Sequence, residues 1–197
     1  MEPDPRHEEL TRLWRERWSW PPPRPHELKT RHADRWVRLH SLPGSKRHPE
    51  DEAEYGILLD RYNTVLDGLF AGGDVFVVST AWSDLDRDTD QWPARRARHP
   101  EGTLWTTVED TSDEDPEFHA RWYFHADRRP WRRGCADGLL RAVANDELAG
   151  VFLTDAGATR VHHPYDGGAD VVLATSDERD RLRERHADWL SARPSGY

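Results

Sequence analysis

The sequence predicts an α+β fold in which a mostly antiparallel sheet packs with helices. Three observations favour this class. The segment DEAEYGILLDRYNTVLDGLF has apolar residues at helical spacing, and DVFVVSTA is a continuous β-branched run typical of a central strand. Near the C terminus, three short apolar segments alternate with turn-forming pairs. We expect a single domain over residues 26–197, preceded by an N-terminal helix and a Pro-rich connector at residues 1–25.

The N-terminal segment predicts one amphipathic helix from Arg6 to Trp18. Its apolar side chains recur at helical spacing, at Leu10, Leu13, Trp14 and Trp18. The four prolines of WPPPRP then remove backbone donors, so the chain from Trp20 to Pro25 is expected to be an extended connector.

Six elements, four strands and two helices, are predicted in the middle of the chain. DRWVRLHSL alternates like a half-buried strand, and the long helix that follows ends at Gly72 and Gly73. A central strand then covers Val75 to Ala81. TLWTTVED and FHARWYFHA are predicted to be antiparallel partners joined by an acidic loop, and GCADGLLRAVANDELAG predicts a helix that ends near Gly150.

The C-terminal part predicts a three-strand meander followed by a helix. GVFLTD, ATRVHHP and ADVVLAT are separated by AG and YDGG, both of which form turns. The last segment, SDERDRLRERHADWLSA, predicts a helix with Ser176 as its N-cap, because acidic residues follow in the first turn.

Composition restricts the classes of partner and the compartment. The chain has 197 residues and a net charge of -9, so its field repels a phosphate backbone and nucleic acid is not expected as a partner. A single cysteine, Cys135, fits a reducing compartment. No signal pattern or membrane-length apolar run is visible, and we therefore expect a cytoplasmic protein without membrane contact.

The segment VHHPYDGGADVV carries the first candidate site. Successive side chains of a strand point to opposite faces, so His162 and His163 are not expected to share a metal ion. Pro164 is predicted to end the strand ladder, and YDGG to form a tight turn. The segment is either a structural turn or a binding site. Its candidate binding residues are His163, Tyr165, Asp166 and Asp170, and no metal or cofactor is assigned to them.

A second candidate region lies in FHARWYFHA. His119 and His125 are an even number of residues apart and are expected on one face of a strand, where they could meet His40, together with Asp127 or Glu117, in a pocket. Trp122 and Phe124 are expected on one face of the strand and Tyr123 on the other. The aromatic side chains of one of these faces must therefore be buried outside the main core. This favours an aromatic groove or interface, and His125 and Trp122 join the candidate binding residues.

Two acidic clusters are the remaining signal. DLDRDTD resembles the start of a calcium loop, but the sixth position is Thr89 instead of glycine and the twelfth is Arg95 instead of glutamate. The clusters are therefore interpreted as solvated loops. The second one lies in VEDTSDEDPE. Together they could form a negative face for a basic protein partner.

The C-terminal signature, from Gly150 to Trp189, resembles a bacterial family known as domain of unknown function 3885. The positions that carry the resemblance are His163, Tyr165, Asp166, Gly168, Asp170, the segment 174–176 and Trp189. The segment RWVRLHSLPGSKRHPEDEAEYGILLDRYNTVLDGLFAGGDVFVVST, with a strand, a helix that contains an arginine and an apolar strand, resembles its N-terminal part. The resemblance implies a small bacterial cytoplasmic α+β domain, and it assigns no catalytic residue.

The sequence supports two hypotheses about function, a binding protein and an enzyme. The favoured hypothesis is a non-enzymatic binding protein, immunity-like or antitoxin-like, that masks a basic partner, because the chain is small and acidic and has many aromatic residues but no catalytic motif. The alternative is a hydrolase or transferase with a dispersed His, Tyr and Asp site, which requires these side chains to meet in a pocket. The oligomeric state stays open.

Overall fold

The predicted α+β class with a mostly antiparallel sheet is confirmed. The computed structural model describes residues 4–22, 27–85 and 93–191, and in them seven strands form one antiparallel sheet in the order β1-β7-β6-β5-β2-β4-β3. The strands are β1 (Trp36–His40), β2 (Asp74–Asp84), β3 (Thr103–Asp110), β4 (Ala120–Pro130), β5 (Phe152–Asp155), β6 (Val161–Tyr165) and β7 (Gly168–Val172).

Helices lie on both faces of this sheet. In the described part of the chain they are α1 (Glu8–Arg17), α2 (Leu28–Arg31), α3 (Glu52–Phe70), α4 (Pro93–Arg98), α5 (Asp137–Ala144) and α6 (Ser176–Arg185). Short 3-10 turns occur at Pro5–His7, Ala33–Arg35, Pro43–Ser45, Pro116–Phe118 and Ala187–Trp189. The predicted order of elements, including the C-terminal meander of β5, β6 and β7 and the helix after it, is therefore observed.

One face of the sheet, called here the α1 face, is covered at its centre by α1. Trp14 is fully buried there, with ring centroids 5.5 Å from Trp105 of β3 and 5.4 Å from Phe152 of β5. Leu10 and Leu28 complete the cluster from α1 and α2. The helix predicted from Arg6 is thus part of the core, while the division of the chain after residue 25 stays a prediction.

The opposite face, called the α3 face, is covered by α3, α5 and α6. Leu58 and Leu66 of α3 and Leu140 of α5 are fully buried against Val77 of β2. Leu182 of α6 is packed in a neighbouring cluster that includes strand residues of β1 and β7. The apolar periodicity of these helices and strands explains why each buries one side.

Three predictions about the ends of helices and strands are wrong. Helix α5 ends at Ala144 and not near Gly150. Thr175, not Ser176, is the N-cap of α6, because its backbone is extended and its hydroxyl accepts a hydrogen bond from the Glu178 N–H. Pro164 does not end its ladder, since it pairs with Ala169 of β7. The proline is tolerated because β5 reaches only the first two residues of β6, so no strand on that side needs its missing N–H.

Some sequence predictions lie partly outside the described residues. Only Trp20–Pro22 of the Pro-rich connector is described, and Asp86, Asp88 and Asp90 of the first acidic cluster are not. Cys135 is a free, half-buried cysteine. Within the described ranges, no helix has the length and apolar character needed to cross a membrane.

His162 and His163 lie on opposite faces of β6, as the strand period predicts. His162 is fully buried on the α3 face. Its ring packs edge-on against that of Tyr62, with 5.6 Å between the ring centroids. Neither ring nitrogen has a hydrogen-bond partner among the residues that the structure describes. Burial lowers the pKa of His162 to about 3, so the imidazole stays neutral in the folded protein at ordinary pH.

Acid should therefore weaken the fold through His162. The unfolded chain binds a proton near the usual histidine pKa of 6.5, whereas the folded chain binds it only near pH 3, so stability falls as the pH drops through that interval. Between pH 6.5 and 5 this one group should cost about 2 kcal/mol of unfolding free energy. Burial also lowers the pKa of four other histidines, His7, His32, His40 and His186.

Replacing His162 with leucine removes two unsatisfied buried nitrogens and keeps the volume similar. We expect His162→Leu to match the wild type within about 1 kcal/mol at pH 7.5 and to lose less stability at pH 5, measured by urea unfolding. The exposed His48→Leu variant is the control. An unchanged acid response in His162→Leu would contradict this assignment.

Candidate functional site

A pocket, called here the edge pocket, lies on the α1 face where β1, β7 and β6 form the edge of the sheet. Arg38 of β1 stands directly opposite Asp170 of β7, which stands opposite His163 of β6. These three side chains are cross-strand neighbours on one face. The strand register therefore brings one end of the meander together with a strand from the N-terminal half of the chain.

Asp170 is the centre of the polar network in this pocket. Its carboxylate accepts hydrogen bonds from Arg38 Nε at 2.8 Å, Arg38 Nη2 at 2.9 Å and Trp36 Nε1 at 2.9 Å. Only 6% of the Asp170 side chain and 15% of the Arg38 side chain are exposed. The guanidinium also lies 5.6 Å from the Trp36 ring centroid and 4.8 Å from that of Tyr165. Arg38 is thus held by a bidentate ion pair and two rings.

The hairpin between β6 and β7 forms the outer wall. Tyr165 pairs with Gly168, which leaves Asp166 and Gly167 as a two-residue turn, with Gly167 at a φ of 89°. A Cβ on Gly168 would lie 2.4 Å from the Leu39 carbonyl oxygen and 2.8 Å from the Tyr165 hydroxyl. Glycine at position 168 therefore lets β1 approach and lets the tyrosine ring lie over the strand.

The predicted YDGG turn is both a turn and a pocket wall. Asp166 forms an ion pair with Arg47, and Tyr165 is largely buried. Burial raises the pKa of Tyr165, so its phenol stays protonated. From the α3 face, the Tyr62 hydroxyl lies 2.7 Å from the Gly168 carbonyl oxygen, to which it donates. The hairpin is held from both sides of the sheet.

The edge pocket has a volume of about 630 Å³. Lys29, His40, Ser45 and Arg47 complete the wall formed by the residues above. Burial lowers the pKa of His40, so its imidazole is neutral at pH 7. The wall combines three cationic side chains, two carboxylates that are already ion-paired, and neutral donors. This composition and size suit a small polar ligand.

Four of the six candidate binding residues meet in the edge pocket, and two do not. His163, Tyr165, Asp166 and Asp170 all line it. Trp122 and His125 lie on β4, and because they are an odd number of residues apart they face opposite sides of the sheet. These two residues therefore belong to separate environments.

The predicted meeting of three histidines is wrong. His119 lies before β4, which begins at Ala120, and its Nε2 lies 2.9 Å from the Asp113 carbonyl oxygen, to which it donates. His125 is buried on the α3 face, and His40 lines the edge pocket on the α1 face. The sheet itself separates His40 from His125, and a 3-10 turn removes His119 from the strand alternation.

Trp122 lines a second concavity, called here the hairpin groove, of about 270 Å³. The chain after α1 forms one side with Trp20, Pro21 and Pro22. Strands β3 and β4 form the other side with Val108 and Trp122, and Glu109 and Asp110 lie at the end of β3.

Two polar atoms in the wall of the hairpin groove are buried without a hydrogen-bond partner among the described residues. They are Ser19 Oγ and Trp122 Nε1, and both can donate. Because an unsatisfied donor is costly, a ligand that brings acceptors gains an advantage here. The groove opens toward the loop between β3 and β4, in which residues 111–118 are all exposed.

A third constellation, on the α3 face, was not predicted from the sequence. Ser79 Oγ lies 2.7 Å from His99 Nδ1, and His99 Nε2 lies 2.7 Å from Asp127 Oδ2. Arg129 Nε donates to the other Asp127 oxygen at 2.8 Å. Burial alone would raise the pKa of Asp127, but the hydrogen bonds from His99 and Arg129 outweigh it and lower the pKa.

The residue types match those of a hydrolase triad, but the geometry does not. Ser79 and His99 are both fully buried, so no substrate reaches the Ser79 hydroxyl in this structure. The chain of hydrogen bonds instead joins the loop after α4 to β2 and β4. Of the three members, the sequence offers only Asp127 as a possible partner of a histidine. Ser79 and His99 are not predicted, because they come from segments that only the tertiary structure brings together.

Metal binding has no support among the described residues. Nowhere in them do three His, Cys, Asp or Glu side chains come close enough to hold an ion.

Comparison with known protein families identifies a family to which most of the chain matches. The profile of a protein family described as Domain of unknown function (DUF3885) matches residues 24–194. No curated protein and no solved structure matches the chain.

Removing the Asp170 carboxylate should strongly destabilise the protein. Asp170→Ala leaves the buried Arg38 charge and the Trp36 N–H without their acceptor, and we expect a loss of about 3–5 kcal/mol in urea unfolding. Asp166→Ala is the matched control from the same hairpin, since its partner Arg47 is mostly exposed, and it should cost about 1 kcal/mol or less. Equal losses for the two variants would contradict the central position of Asp170.

Removing the His99 ring should also destabilise the fold. His99→Ala leaves Ser79 and Asp127 buried without a common partner and opens a cavity, so we expect a loss of about 2–4 kcal/mol. The exposed His48→Ala should change the unfolding free energy by about 0.5 kcal/mol or less. A wild-type unfolding midpoint for His99→Ala would show that the chain of hydrogen bonds is not structural.

Proposed function

The chain belongs to the family described as Domain of unknown function (DUF3885), and from this premise we propose that it is a non-enzymatic binding protein that holds a basic segment of a partner protein in the hairpin groove. One observation carries the proposal. An aromatic and proline-lined groove with unsatisfied donors runs directly into a strongly acidic, exposed loop.

The groove walls suit an extended basic segment. Trp122 offers a ring on which a guanidinium or ammonium group of the segment can stack, whereas the Trp20 ring centroid already lies 4.5 Å from the guanidinium of an α1 arginine. Ser19 Oγ and Trp122 Nε1 can donate to backbone carbonyls of the bound segment. Pro21 and Pro22 have no backbone N–H to compete for these acceptors.

The acidic loop supplies the complementary charge. Its exposed carboxylates are Asp113, Glu114, Asp115 and Glu117. Charges of this kind at the rim of an interface accelerate association more than they strengthen the final complex. Two exposed aromatic side chains lie near the same end of the sheet, Trp82 at 43% and Phe118 at 67% exposure, and they provide anchors for a larger contact.

The role proposed for this contact is that of an immunity-like or antitoxin-like protein that masks a basic surface of its partner. The net charge of -9 supports a basic partner and disfavours nucleic acid. The single free cysteine supports a cytoplasmic location for the pair.

An enzyme with a dispersed His, Tyr and Asp site is the second candidate function. The convergence of His163, Tyr165, Asp166 and Asp170 in the edge pocket favours it. We rank it second because arginines already hold both carboxylates and because burial raises the pKa of Tyr165, which makes the phenol a poor base at neutral pH.

The charge part of the proposal can be tested with a fluorescent peptide of alternating arginine, lysine and apolar residues. Neutralising Glu114 and Glu117 in Glu114→Gln/Glu117→Gln should weaken binding about three- to tenfold at low salt, mainly through a slower association rate. The control Glu184→Gln/Asp188→Asn removes two exposed charges from the C-terminal helical region. Equal weakening in both variants would mean that only net charge matters.

The groove part is tested by Trp20→Ala, with circular dichroism to verify the fold. Loss of a stacking wall should increase the dissociation rate and weaken peptide binding about tenfold. Unchanged affinity and dissociation rate in a folded Trp20→Ala protein would contradict binding in the hairpin groove.

A further inference from the structure

We propose that the cleft between α3 and α6, called here the α6 cleft, is a binding site for a phosphate group. The cleft shares no wall residue with the hairpin groove or the edge pocket, so the proposal does not depend on the proposed function. It rests on the balance of charge in the wall, on the spacing of the arginines along α6, and on the size of the cleft.

The wall of the α6 cleft carries a surplus of positive charge. It contains three arginines, Arg160, Arg181 and Arg185, and one carboxylate, that of Glu178. Arg160 holds this carboxylate in a bidentate ion pair, with its Nη2 2.6 Å from Oε1 and its Nε 2.9 Å from Oε2. In the part of the chain that the structure describes, the guanidinium groups of Arg181 and Arg185 form no ion pair and no hydrogen bond. The carboxylate of the wall therefore leaves two cationic charges uncompensated.

The period of α6 places these arginines in the cleft. Glu178, Arg181 and Arg185 occupy positions i, i+3 and i+7, so they lie on one side of the helix, next to the buried Leu182. Arg185 reaches toward α3, where its Nη1 lies 3.8 Å from the position that a Cβ on Gly68 would take. Like charges at i and i+4, such as Arg181 and Arg185, repel each other and weaken a helix. An anion bound between them replaces this repulsion with attraction.

A phosphate group matches the wall in charge and in shape. Near neutral pH it carries roughly two negative charges on three acceptor oxygens. The planar fork of each guanidinium can donate two parallel hydrogen bonds to such oxygens. The hydroxyl of Thr64 adds a neutral donor from α3. A single carboxylate has only one charge and two oxygens, so it would leave one of the two arginines uncompensated.

The size of the α6 cleft limits the rest of the ligand. Its volume of about 280 Å³ lies just below the range of pockets for organic ligands, which begins at about 300 Å³. The cleft therefore suits the phosphate group with at most a small organic remainder. Free phosphate and a small phosphate monoester both supply this group.

Helix α6 contains a matched control for this site. Arg183 is exposed, lies between Arg181 and Arg185 in the sequence, and is not part of the cleft wall. Because residues two positions apart do not share a helix face, its side chain points away from the cleft. Replacing Arg183 removes the same charge from the same helix as replacing Arg181 or Arg185. The comparison therefore separates a local site from a general effect of charge.

The test is isothermal titration calorimetry of the full chain with inorganic phosphate, glycerol phosphate and succinate at pH 7.5 and constant ionic strength. We expect saturable binding of phosphate at millimolar concentration, and the tighter of the two phosphates identifies the free ion or a monoester as the occupant. Succinate should bind at least about fivefold more weakly. Arg181→Gln and Arg185→Gln should each weaken phosphate binding about tenfold or more, and Arg183→Gln should leave it within about twofold.

Any of three results would overturn the proposal. These are the absence of saturable binding of either phosphate at millimolar concentration, equal affinity for succinate and the tighter phosphate, and equal weakening by the three arginine variants. The last result would mean that only the overall charge of α6 matters.

A measurement without variants covers the case in which a substitution disturbs the packing of α6. The side-chain Nε–H signals of the arginines are followed by NMR in the wild-type protein while the tighter phosphate is added. The signals of Arg181 and Arg185 should shift, and that of Arg183 should stay in place. Unshifted signals of Arg181 and Arg185 at millimolar phosphate would contradict binding in the α6 cleft.

Discussion

A ten-residue helix is too short to cover a seven-stranded sheet, and the positions of both candidate sites follow from this limit. Helix α1 spans about 15 Å, whereas the two outer strands lie about 29 Å apart. Trp14 anchors α1 between β3 and β5, so the strands beyond β5 have no helix of this length above them. The edge pocket lies at β6, β7 and β1, and the hairpin groove lies where β3 and β4 extend past α1.

Polar side chains have different environments in the part of the sheet that helices cover and in the part that they leave open. On the α3 face, Ser79, His99 and Asp127 are joined by hydrogen bonds, and the neutral His162 ring has no hydrogen-bond partner in the described part of the chain. On the α1 face, the neighbouring His163 lines a solvent-accessible pocket. One residue step along β6 therefore separates a core histidine from a candidate ligand contact, because strand side chains alternate between faces.

The sequence predicts the fold well because most of its signals are local. Apolar periodicity identifies the long helix α3 and the central strand β2, and the Asp-Gly pair identifies the β6–β7 hairpin with Tyr165. The edge pocket is predictable only in part. Its hairpin residues come from one local motif, whereas Arg38 joins them through the pairing of β1 with β7, more than 130 residues away along the chain. Hydrophobic patterns do not specify such a pairing.

Binding of a basic segment in the hairpin groove is tested most directly by a single NMR experiment. Amide and indole ¹H–¹⁵N signals are followed while a basic peptide is added. The peptide should shift the indole signals of Trp20 and Trp122, which line the groove, and leave the amide signals of the β6–β7 hairpin, from Tyr165 to Asp170, unchanged. Unchanged indole signals, or shifts of equal size in the hairpin, would contradict binding in this groove.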